Sequence, residues 1–413
     1  MAGEHEIAVV GGGPAGLMAA ERLSKAGCSV TIYERMPSLG RKLLMAGRGG
    51  LNLTHAEPLA AFLGRYGTAE PWLRPLIEAF PPEALRAWAE GLGQATFVGS
   101  SGRVFPRALK ASPLLRAWLA RLAAQGVQFA LRHEWQGWDE AGRLVLRHGE
   151  ATSLLAPAAC VLALGGASWP RLGSNGAWVA PLRAAGIAVA PLRAANCGLV
   201  LPWSAAFAER FAGTPLKRIV LSLAGRSVPG EAVVTRYGLE GGAVYALAAE
   251  LRERLAGAGE GAQGVPLLLD LRPDLAEADL AARLARAPER QTLANRLRKA
   301  AGLPPVASNL LREAVGQALP RTPEGLAGLI KRLPLTVTGM APLARAISTA
   351  GGVALDELDA NLMLRRRPGS FVAGEMLDWE APTGGYLLQA SLATGMAAAE
   401  GVLRWLGRDA PFR

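Results

Sequence analysis

The sequence predicts an α/β protein in which a doubly wound, largely parallel sheet is interrupted by an insertion. Three observations lead to this fold class. Residues 7–34 read as strand, glycine-rich turn, helix and strand; alternating strand and helix patterns continue to residue 166; and short strands with frequent turns begin near residue 196. The first two patterns are typical of parallel sheets, and the third is typical of an antiparallel unit.

The elements of the first part follow from apolar runs and helical spacing. Residues 7–10 are an apolar, β-prone run, and apolar residues then recur at helical spacing across 17–23. Further helices are predicted at about 70–92 and 111–125, the second of which stops at Gly126, and residues 37–58 are predicted as a loop. Strands are predicted at 127–131 and 144–148, and residues 160–166 are predicted as a buried strand that runs into a glycine turn.

The later residues predict a discontinuous domain. We expect 1–195 to form the first part of a nucleotide-binding domain, 196–272 a small antiparallel unit and 273–333 several short helices separated by prolines. Residues 334–413 are expected to complete the barrel-like unit and to form the second part of the nucleotide-binding domain, with a strand into a turn at 369–378 and a long helix after Gly385.

Composition excludes several classes of protein. Half of the 413 residues are hydrophobic and no apolar run reaches the length of a membrane span, which predicts a soluble globular protein. The first apolar run follows Glu4 and Glu6 and lacks a basic leader, so we expect no signal peptide and a cytoplasmic location. The three cysteines and four histidines show no metal-ligand spacing. The net charge of +11 is spread along helix-like segments, which favours a solvated surface over nucleic-acid binding.

A dinucleotide site is predicted at residues 7–34. Gly11, Gly13 and Gly16 form GxGxxG between strand and helix, where they allow a tight turn, close approach of a pyrophosphate, and close packing of helix on strand. The phosphate would lie at the helix N-terminus. Glu34 ends the second strand, where a carboxylate can accept from both hydroxyls of an adenosine ribose. This unit does not by itself distinguish FAD from NAD.

Two later motifs favour FAD. The loop at 38–55 contains Gly40, Arg41, Lys42, Gly47, Arg48 and Gly49, and such a loop can wrap the ribityl and pyrophosphate portion or form a mobile basic surface. Residues 373–389 give a second strand, turn and helix start. In an FAD-binding fold that helix N-terminus would stabilise negative charge on the reduced ring.

The chain resembles the BaiN/RdsA-like family of NAD(P)/FAD-dependent oxidoreductases over nearly its whole length. The resemblance is carried by seven segments: GGGPAG (11–16), GRKLLMAGRGGLNLTH (40–55), GRVFP (102–106), LGGASWPRLGSNGAW (164–178), TRYGLEGGAV (235–244), TAGGV (349–353) and AGEMLDWEAPTGGYLLQASLATG (373–395). It implies a GR2-type FAD-binding Rossmann-like domain interrupted by a small β-barrel and a helical subdomain. Many members read GRCN where this chain reads Gly49-Gly50-Leu51-Asn52, which indicates a divergent subgroup.

The resemblance also implies which residues contact FAD. Gly11, Gly13, Gly16 and Glu34 would hold the ADP half, Arg41 and Lys42 would lie by the pyrophosphate, and Gly165 and Gly166 would form a turn near the cofactor. Glu375 would lie near the ribityl chain, and Gly384, Gly385 and Tyr386 by the isoalloxazine. Trp135 would contact adenine through its backbone. The remaining predicted contacts are Pro14, Ala15, Arg35, Gly40, Gly47, Gly49, Asn52 and Gly374.

The predicted function is hydride transfer between a small organic substrate and flavin N5, in a pocket between the FAD domain and the insertion. The family resemblance implies either amine oxidation or reduction of conjugated C=C bonds, with oxygen or NAD(P)H as redox partner. Candidate pocket residues are Arg48, Asn52, Arg103, Tyr237, Asp378 and Tyr386, and no catalytic acid or base is assigned. Alternatives are a flavin-dependent RNA-modifying or RNA-binding protein and a non-catalytic flavin-binding protein.

Overall fold

The chain divides into two compact units. A computed structural model describes residues 6–259, 263–288 and 290–408, so that Glu4 and His5 lie outside the described residues. The first unit comprises Met1–Arg193 and Ile347–Arg413, and the second comprises Ala194–Ala346. Each unit has its own large hydrophobic core. The domain boundaries drawn from the sequence stay predictions.

The elements follow one another along the chain. Residues 6–195 form β1 (Glu6–Val10), α1 (Pro14–Lys25), β2 (Ser29–Glu34), α2 (Arg41–Ala46), β3 (Thr54–His55), α3 (Leu59–Leu63), α4 (Glu70–Ala79), α5 (Pro82–Gly91), β4 (Thr96–Val98), β5 (Arg103–Pro106), α6 (Ala111–Ala124), β6 (Gln128–Leu131), β7 (Glu134–Trp138), β8 (Leu144–His148), β9 (Ala151–Leu155), β10 (Ala159–Leu162), α7 (Val179–Ala184) and β11 (Arg193–Ala195). Residues 199–340 form β12 (Leu199–Val200), α8 (Ala205–Phe211), β13 (Pro215–Leu223), β14 (Arg226–Val234), β15 (Gly238–Glu240), α9 (Gly242–Tyr245), α10 (Ala248–Gly257), β16 (Val265–Asp270), α11 (Glu277–Ala285), α12 (Leu293–Lys299), α13 (Pro305–Val315), α14 (Pro323–Lys331), β17 (Leu333–Val337) and β18 (Gly339–Met340). The last elements are β19 (Ser348–Ala350), β20 (Ser370–Val372) and α15 (Tyr386–Trp405).

A five-stranded parallel sheet is the centre of the first unit, and the predicted α/β class is confirmed. Its strand order is β20-β10-β1-β2-β6, and all four pairings are parallel. In β1, Ile7 to Val10 are buried because neighbouring strands cover both edges and helices cover the faces. The carboxyl ends of β1, β2, β10 and β20 therefore meet along one edge of the sheet, where parallel α/β folds bind ligands.

One predicted strand lies outside this sheet. Residues 144–148 form β8, which pairs antiparallel with β7 and β9 in a separate three-stranded sheet. In β8 the side chains of Leu144 and Leu146 are buried whereas Arg147 and His148 are exposed, as expected of a strand with one solvated face. The region predicted as a loop, residues 37–58, contains the short elements α2 and β3, of which β3 pairs with β5.

The second unit contains one seven-stranded antiparallel sheet and a group of helices. The strand order is β17-β16-β13-β14-β15-β12-β18. Inward residues such as Leu221, Leu267 and Leu335 alternate with exposed ones, and this apolar face joins α11, α13 and α14 in the core. Helices α11 to α14 lie within the region where the sequence predicts short helices punctuated by prolines.

Candidate cofactor and active site

A cavity of about 640 Å³ lies in the first unit at the carboxyl edge of the parallel sheet. It is bordered by the residues that follow β1, β10 and β20 and by the first residues of α1 and α15. Its size is within the range of small-molecule and cofactor sites. The predicted site residues that line it are Gly11, Gly13, Pro14, Ala15, Glu34, Arg35, Gly40, Arg41, Lys42, Asn52, Arg103, Trp135, Gly165, Gly374, Glu375, Gly384 and Gly385.

The glycine-rich turn leaves open space where a phosphate would approach. Gly11 has φ +109°, a conformation that favours glycine, and a side chain at Gly16 would overlap the Gly11 carbonyl oxygen. Gly13 differs, because a Cβ built there meets no atom within 4 Å and would project into the free space of the cavity. Helix α1 begins directly after it without a side-chain cap and without an acidic residue in its first turn. Its N-terminus therefore presents partial positive charge to the cavity.

Glu34 is held by the backbone at the end of β2. Its Oε2 accepts from the Gly12 N–H at 2.8 Å and its Oε1 accepts from the Met36 N–H at 2.8 Å. Burial raises the pKa of the Glu34 carboxyl, and these hydrogen bonds act in the opposite direction. Each carboxylate oxygen has a second acceptor position, so a ligand hydroxyl can still bind there.

Lys42 joins the loop after β2 to the segment after β20. Its Nζ donates to Glu375 Oε2 and to Ser168 Oγ, each at 2.8 Å. The second Glu375 oxygen accepts from the Thr349 N–H at 2.9 Å, and Thr349 Oγ1 accepts from the Ala167 N–H at 2.8 Å. Four chain segments are thereby connected through one carboxylate beside the cavity.

The N-terminus of α15 forms another part of the cavity wall. Gly384, Gly385 and Leu387 line the cavity, and α15 begins without a side-chain cap or an acidic residue in its first turn. A Cβ on Gly385 would lie 2.5 Å from Thr54 Cα, so glycine permits close contact between this turn and β3. A second uncapped helix terminus is thus directed at the same space.

Tyr386 is buried behind this wall and does not line the cavity. Its hydroxyl donates to Glu57, its carbonyl oxygen accepts from the Tyr66 hydroxyl at 2.8 Å, and its ring stacks on His55 at 5.7 Å. Burial, followed by the bond to Glu57, raises the pKa of the Tyr386 hydroxyl. Arg65 also donates to Glu57, so the carboxylate serves two donors.

Several other predicted residues do not line the cavity. Asp378 is half-buried, and burial raises the pKa of its carboxyl. Tyr237 belongs to the second unit, where its hydroxyl donates to Glu240. The glycines at 16, 47, 49 and 166 also lie outside the lining. The side chain of Arg48 falls outside the described residues.

The cavity also includes residues that sequence reasoning missed, notably Trp169, Trp178, Trp379 and Ser174. Trp169 adopts a left-handed conformation with φ +58° and ψ +62°, which is rare for a bulky residue and is typical of functional sites. Its segment, 164–178, carries the family resemblance in the sequence. That motif is the signal from which Trp169, Ser174 and Trp178 could have been found, and the motif at 373–395 is the corresponding signal for Trp379.

The lining fits a polar, extended ligand. Among the described residues, eight buried side-chain nitrogen or oxygen atoms have no hydrogen-bond partner, and five of these belong to residues of this one cavity. These are Arg35 Nη1, Arg41 Nε, Asn52 Oδ1, Trp135 Nε1 and Ser174 Oγ. Because buried polar groups are normally hydrogen-bonded, their concentration here indicates donors and acceptors that a bound molecule satisfies. Together with the free space at Gly13, they fit a dinucleotide cofactor.

A parallel sheet with this turn, this acidic residue and this cavity defines a dinucleotide-binding protein of the Rossmann type. The chain matches the profile described as HI0933-like protein Rossmann domain over residues 5–401, and it belongs to that family. The resemblance to BaiN/RdsA-like proteins is thereby confirmed, and the protein is a flavoprotein oxidoreductase.

Two curated relatives and one solved structure extend this finding. The chain is 26% identical to 3-dehydro-bile acid delta(4,6)-reductase of Clostridium scindens over 95% of this chain and 98% of that protein. It is 44% identical to ribosomal RNA dihydrouridine synthase of Haemophilus influenzae over 52 residues, 13% of each chain. It shares the fold of 3-ketosteroid delta1-dehydrogenase from Sterolibacterium denitrificans, with a TM-score of 0.53 and 13% identity over 97% of this chain and 99% of that one.

Two kinds of feature are absent from the residues that the structure describes. None of the helices in that part of the chain is both long and apolar enough to cross a membrane. No group of three or more His, Cys, Asp or Glu residues within the same ranges is arranged to hold a metal ion. The cytoplasmic location stays a prediction.

Proposed function

We propose that this protein is an FAD-dependent reductase of a C=C bond conjugated to a carbonyl group. The observation that carries the proposal is one cavity that contains the open glycine turn, two uncapped helix N-termini and five buried polar atoms without a hydrogen-bond partner among the described residues. When bound, FAD supplies hydride transfer at N5.

The cavity residues have distinct tasks in holding FAD under this proposal. Glu34 would accept the ribose hydroxyls, and the backbone at Gly13 with the α1 N-terminus would receive the pyrophosphate. Arg41 would add a positive charge to the same phosphates. Its Nη1 already donates to Ser38 Oγ at 3.1 Å, whereas its Nε has no hydrogen-bond partner among the described residues. The α15 N-terminus would stabilise negative charge on the reduced ring.

A curated relative supports the proposed substrate class. A delta(4,6)-reductase of a 3-dehydro-bile acid acts, by its name, on C=C bonds conjugated to a ketone, and this relative spans nearly the whole chain. That match favours enone reduction over the alternative of amine oxidation. NAD(P)H is then the expected electron donor, because reduction requires a source of hydride.

The cofactor is tested directly on the purified protein. It should be yellow and release FAD on heating. The Glu34→Ala variant should retain FAD about tenfold or more weakly, because a ribose acceptor and the partner of two backbone amides are lost together. No flavin after reconstitution of the wild-type protein would disprove the proposal.

The reaction is tested as two half-reactions. Photoreduced flavin is mixed with air or, anaerobically, with a panel of 4-en-3-ones, and oxidised flavin is mixed anaerobically with a panel of amines. Reoxidation by an enone, with saturation of its C=C bond, is the expected outcome. Reduction of the oxidised flavin by an amine without any reaction with enones would assign the opposite direction. A flavin that exchanges electrons with no organic compound would favour the non-catalytic alternative.

A ribosomal RNA uracil is the second candidate substrate. Uracil contains a C5=C6 bond conjugated to its C4 carbonyl, so dihydrouridine formation is the same chemistry, and a dihydrouridine synthase is one of the relatives. The second unit also offers a basic surface around α11 and α12. Its exposed cations are Arg283, Arg286, Arg290, Arg298 and Lys299, none of which makes an ion pair with a described residue.

This candidate predicts salt-sensitive RNA binding. A triple variant, Arg283→Gln, Arg286→Gln and Arg290→Gln, should reduce the salt dependence of binding to a ribosomal RNA fragment by about one to three counterions. The control is a triple variant at Arg107, Arg116 and Arg171, which are exposed cations of the first unit. Absence of RNA binding at low salt would eliminate this candidate.

A further inference from the structure

Arg103 is a cavity cation for which the described part of the chain offers no partner. Four lysines or arginines line the cavity, and three of them interact with the protein: Arg35 with Glu134 at 3.6 Å, Arg41 with Ser38, and Lys42 with Glu375. Arg103 makes no side-chain hydrogen bond or ion pair with any residue that the structure describes. Its positive charge is therefore available to a ligand.

The strand that carries Arg103 is hydrogen-bonded on both edges. Arg103 begins β5, which lies between β3 and β4 in a three-stranded sheet. The Arg103 carbonyl oxygen accepts from Gly99 N–H at 2.8 Å, and the neighbouring Val104 carbonyl oxygen accepts from Leu53 N–H at 2.9 Å. The backbone that carries Arg103 is therefore fixed on both edges of the strand, and the residue itself is half-buried beside the cavity.

Arg103 also lies on the side of the cavity that is adjacent to the α15 N-terminus. Val104 pairs with Thr54 in the β3–β5 register, and Thr54 is in close contact with Gly385 at the start of α15. Glu34 and Arg35 reach the cavity from a different sheet, at the end of β2. Under the proposed function, Arg103 is therefore close to the reactive part of the cofactor.

The balance of charge favours a carboxylate as its partner. The acidic residues of the cavity are Glu34, Glu134 and Glu375, and each already accepts from or pairs with a protein group. An arginine guanidinium matches a planar carboxylate, which it can bind through two parallel hydrogen bonds. The anionic groups of FAD have the α1 N-terminus and Arg41 available to them.

We propose that Arg103 binds a carboxylate of the substrate, so that this enzyme acts on enones that carry an acidic group. The inference rests on the proposed function, since it specifies the substrate of that same site. It makes Arg103 a specificity-determining residue and assigns it no part in hydride transfer.

The first experiment measures binding without turnover. Cholate, a saturated steroid carboxylate, is titrated into the FAD-loaded protein by calorimetry. Arg103→Gln should weaken cholate binding about tenfold or more, and Arg103→Lys should restore part of it, because a charge-assisted hydrogen bond is lost in the first and partly regained in the second. The control Arg107→Gln removes an exposed charge that is absent from the cavity lining and should bind cholate as the wild type does.

The second experiment compares two enones that differ in charge, 3-oxo-4-cholenoate and its methyl ester. Arg103→Gln should raise KM for the acid about tenfold while kcat, and both parameters for the ester, stay within about twofold. Equal effects on acid and ester would overturn the proposal. So would unchanged cholate binding accompanied by a tenfold loss of FAD affinity, which would assign Arg103 to the cofactor. Because cholate contains no enone, a failure of the proposed reaction leaves the first experiment interpretable.

Discussion

Two segments that border the same cavity use their cations differently. In α2, Lys42 is bonded to Glu375 and Ser168 and links segments that are far apart in the chain. In β5, Arg103 has the same charge and borders the same space, but it bonds to no described side chain. The position of a cation in a binding site therefore does not by itself define its role. A cation that is saturated by the protein stabilises the wall, and one that is left unpaired can recognise a ligand.

The largest effect is expected from a variant that prevents FAD from binding in the cavity at all. Gly13→Val places a branched side chain in the space that is open above the turn, and its backbone at φ −84° tolerates valine. We expect FAD to be lost entirely, so that the purified variant is colourless by absorbance at 450 nm. Gly64→Val is the control, since Gly64 is exposed and also has free space at Cβ. A Gly13→Val protein that is still yellow would show that the phosphates of FAD do not bind at Gly13.

The different roles of Lys42 and Arg103 can be tested by measuring the stability of their variants. Lys42→Met should lower the free energy of unfolding by about 2–3 kcal/mol, because it leaves the Glu375 carboxylate, of which about 15% is exposed, without its cation. Arg103→Gln should change it by no more than about 0.5 kcal/mol. Urea denaturation of the FAD-free proteins measures both. Similar losses in the free energy of unfolding for the two variants would show that Arg103, like Lys42, stabilises the fold.

A smaller effect is expected behind the cavity wall. Tyr386→Phe removes the hydroxyl that donates to Glu57, and we expect a loss of about 1–2 kcal/mol in stability. FAD affinity and the visible flavin spectrum should stay unchanged, because Tyr386 does not line the cavity. Thermal unfolding and absorbance spectroscopy provide the two measurements. A shifted spectrum would place the hydroxyl beside the isoalloxazine, as the family resemblance implies.

The smallest effect is a pH dependence from Glu34. Its folded-state pKa is raised by burial, so its favourable contribution to stability is present below the ordinary glutamate pKa of about 4.3 and is lost as pH rises through the folded pKa. Relative to Glu34→Gln, the FAD-free wild type should therefore be less stable at about pH 7 than at about pH 4. Urea denaturation at both pH values gives the difference. A relative gain by the wild type on raising the pH would contradict the predicted sign.

The sequence was informative where a structural element depends on residues that are close together in the chain. The turn at Gly11 to Gly16 and the buried strands β1 and β10 follow from local pattern and occur as predicted. The strand predicted at 144–148 lies in a region expected to form a largely parallel sheet, but Arg147 and His148 require a solvated face that a central parallel strand does not have. Exposed polar ends were the signal for a separate antiparallel sheet.

The site was less predictable because its contacts join distant residues. Lys42 and Glu375 are separated by 333 positions, and no local periodicity indicates that they meet. The same holds for Tyr386, whose position behind the wall depends on Glu57 and Tyr66. Which lysine or arginine remains unpaired is likewise a property of the whole fold.

The aromatic residues around the cavity have an optical consequence. Four of the ten tryptophans, Trp135, Trp169, Trp178 and Trp379, border this one space. Indole emission overlaps flavin absorption, so a bound isoalloxazine at such short range would quench their fluorescence by energy transfer. The tryptophan fluorescence of the protein should therefore report how much of the cavity is occupied by FAD. Its emission should rise in proportion as FAD leaves.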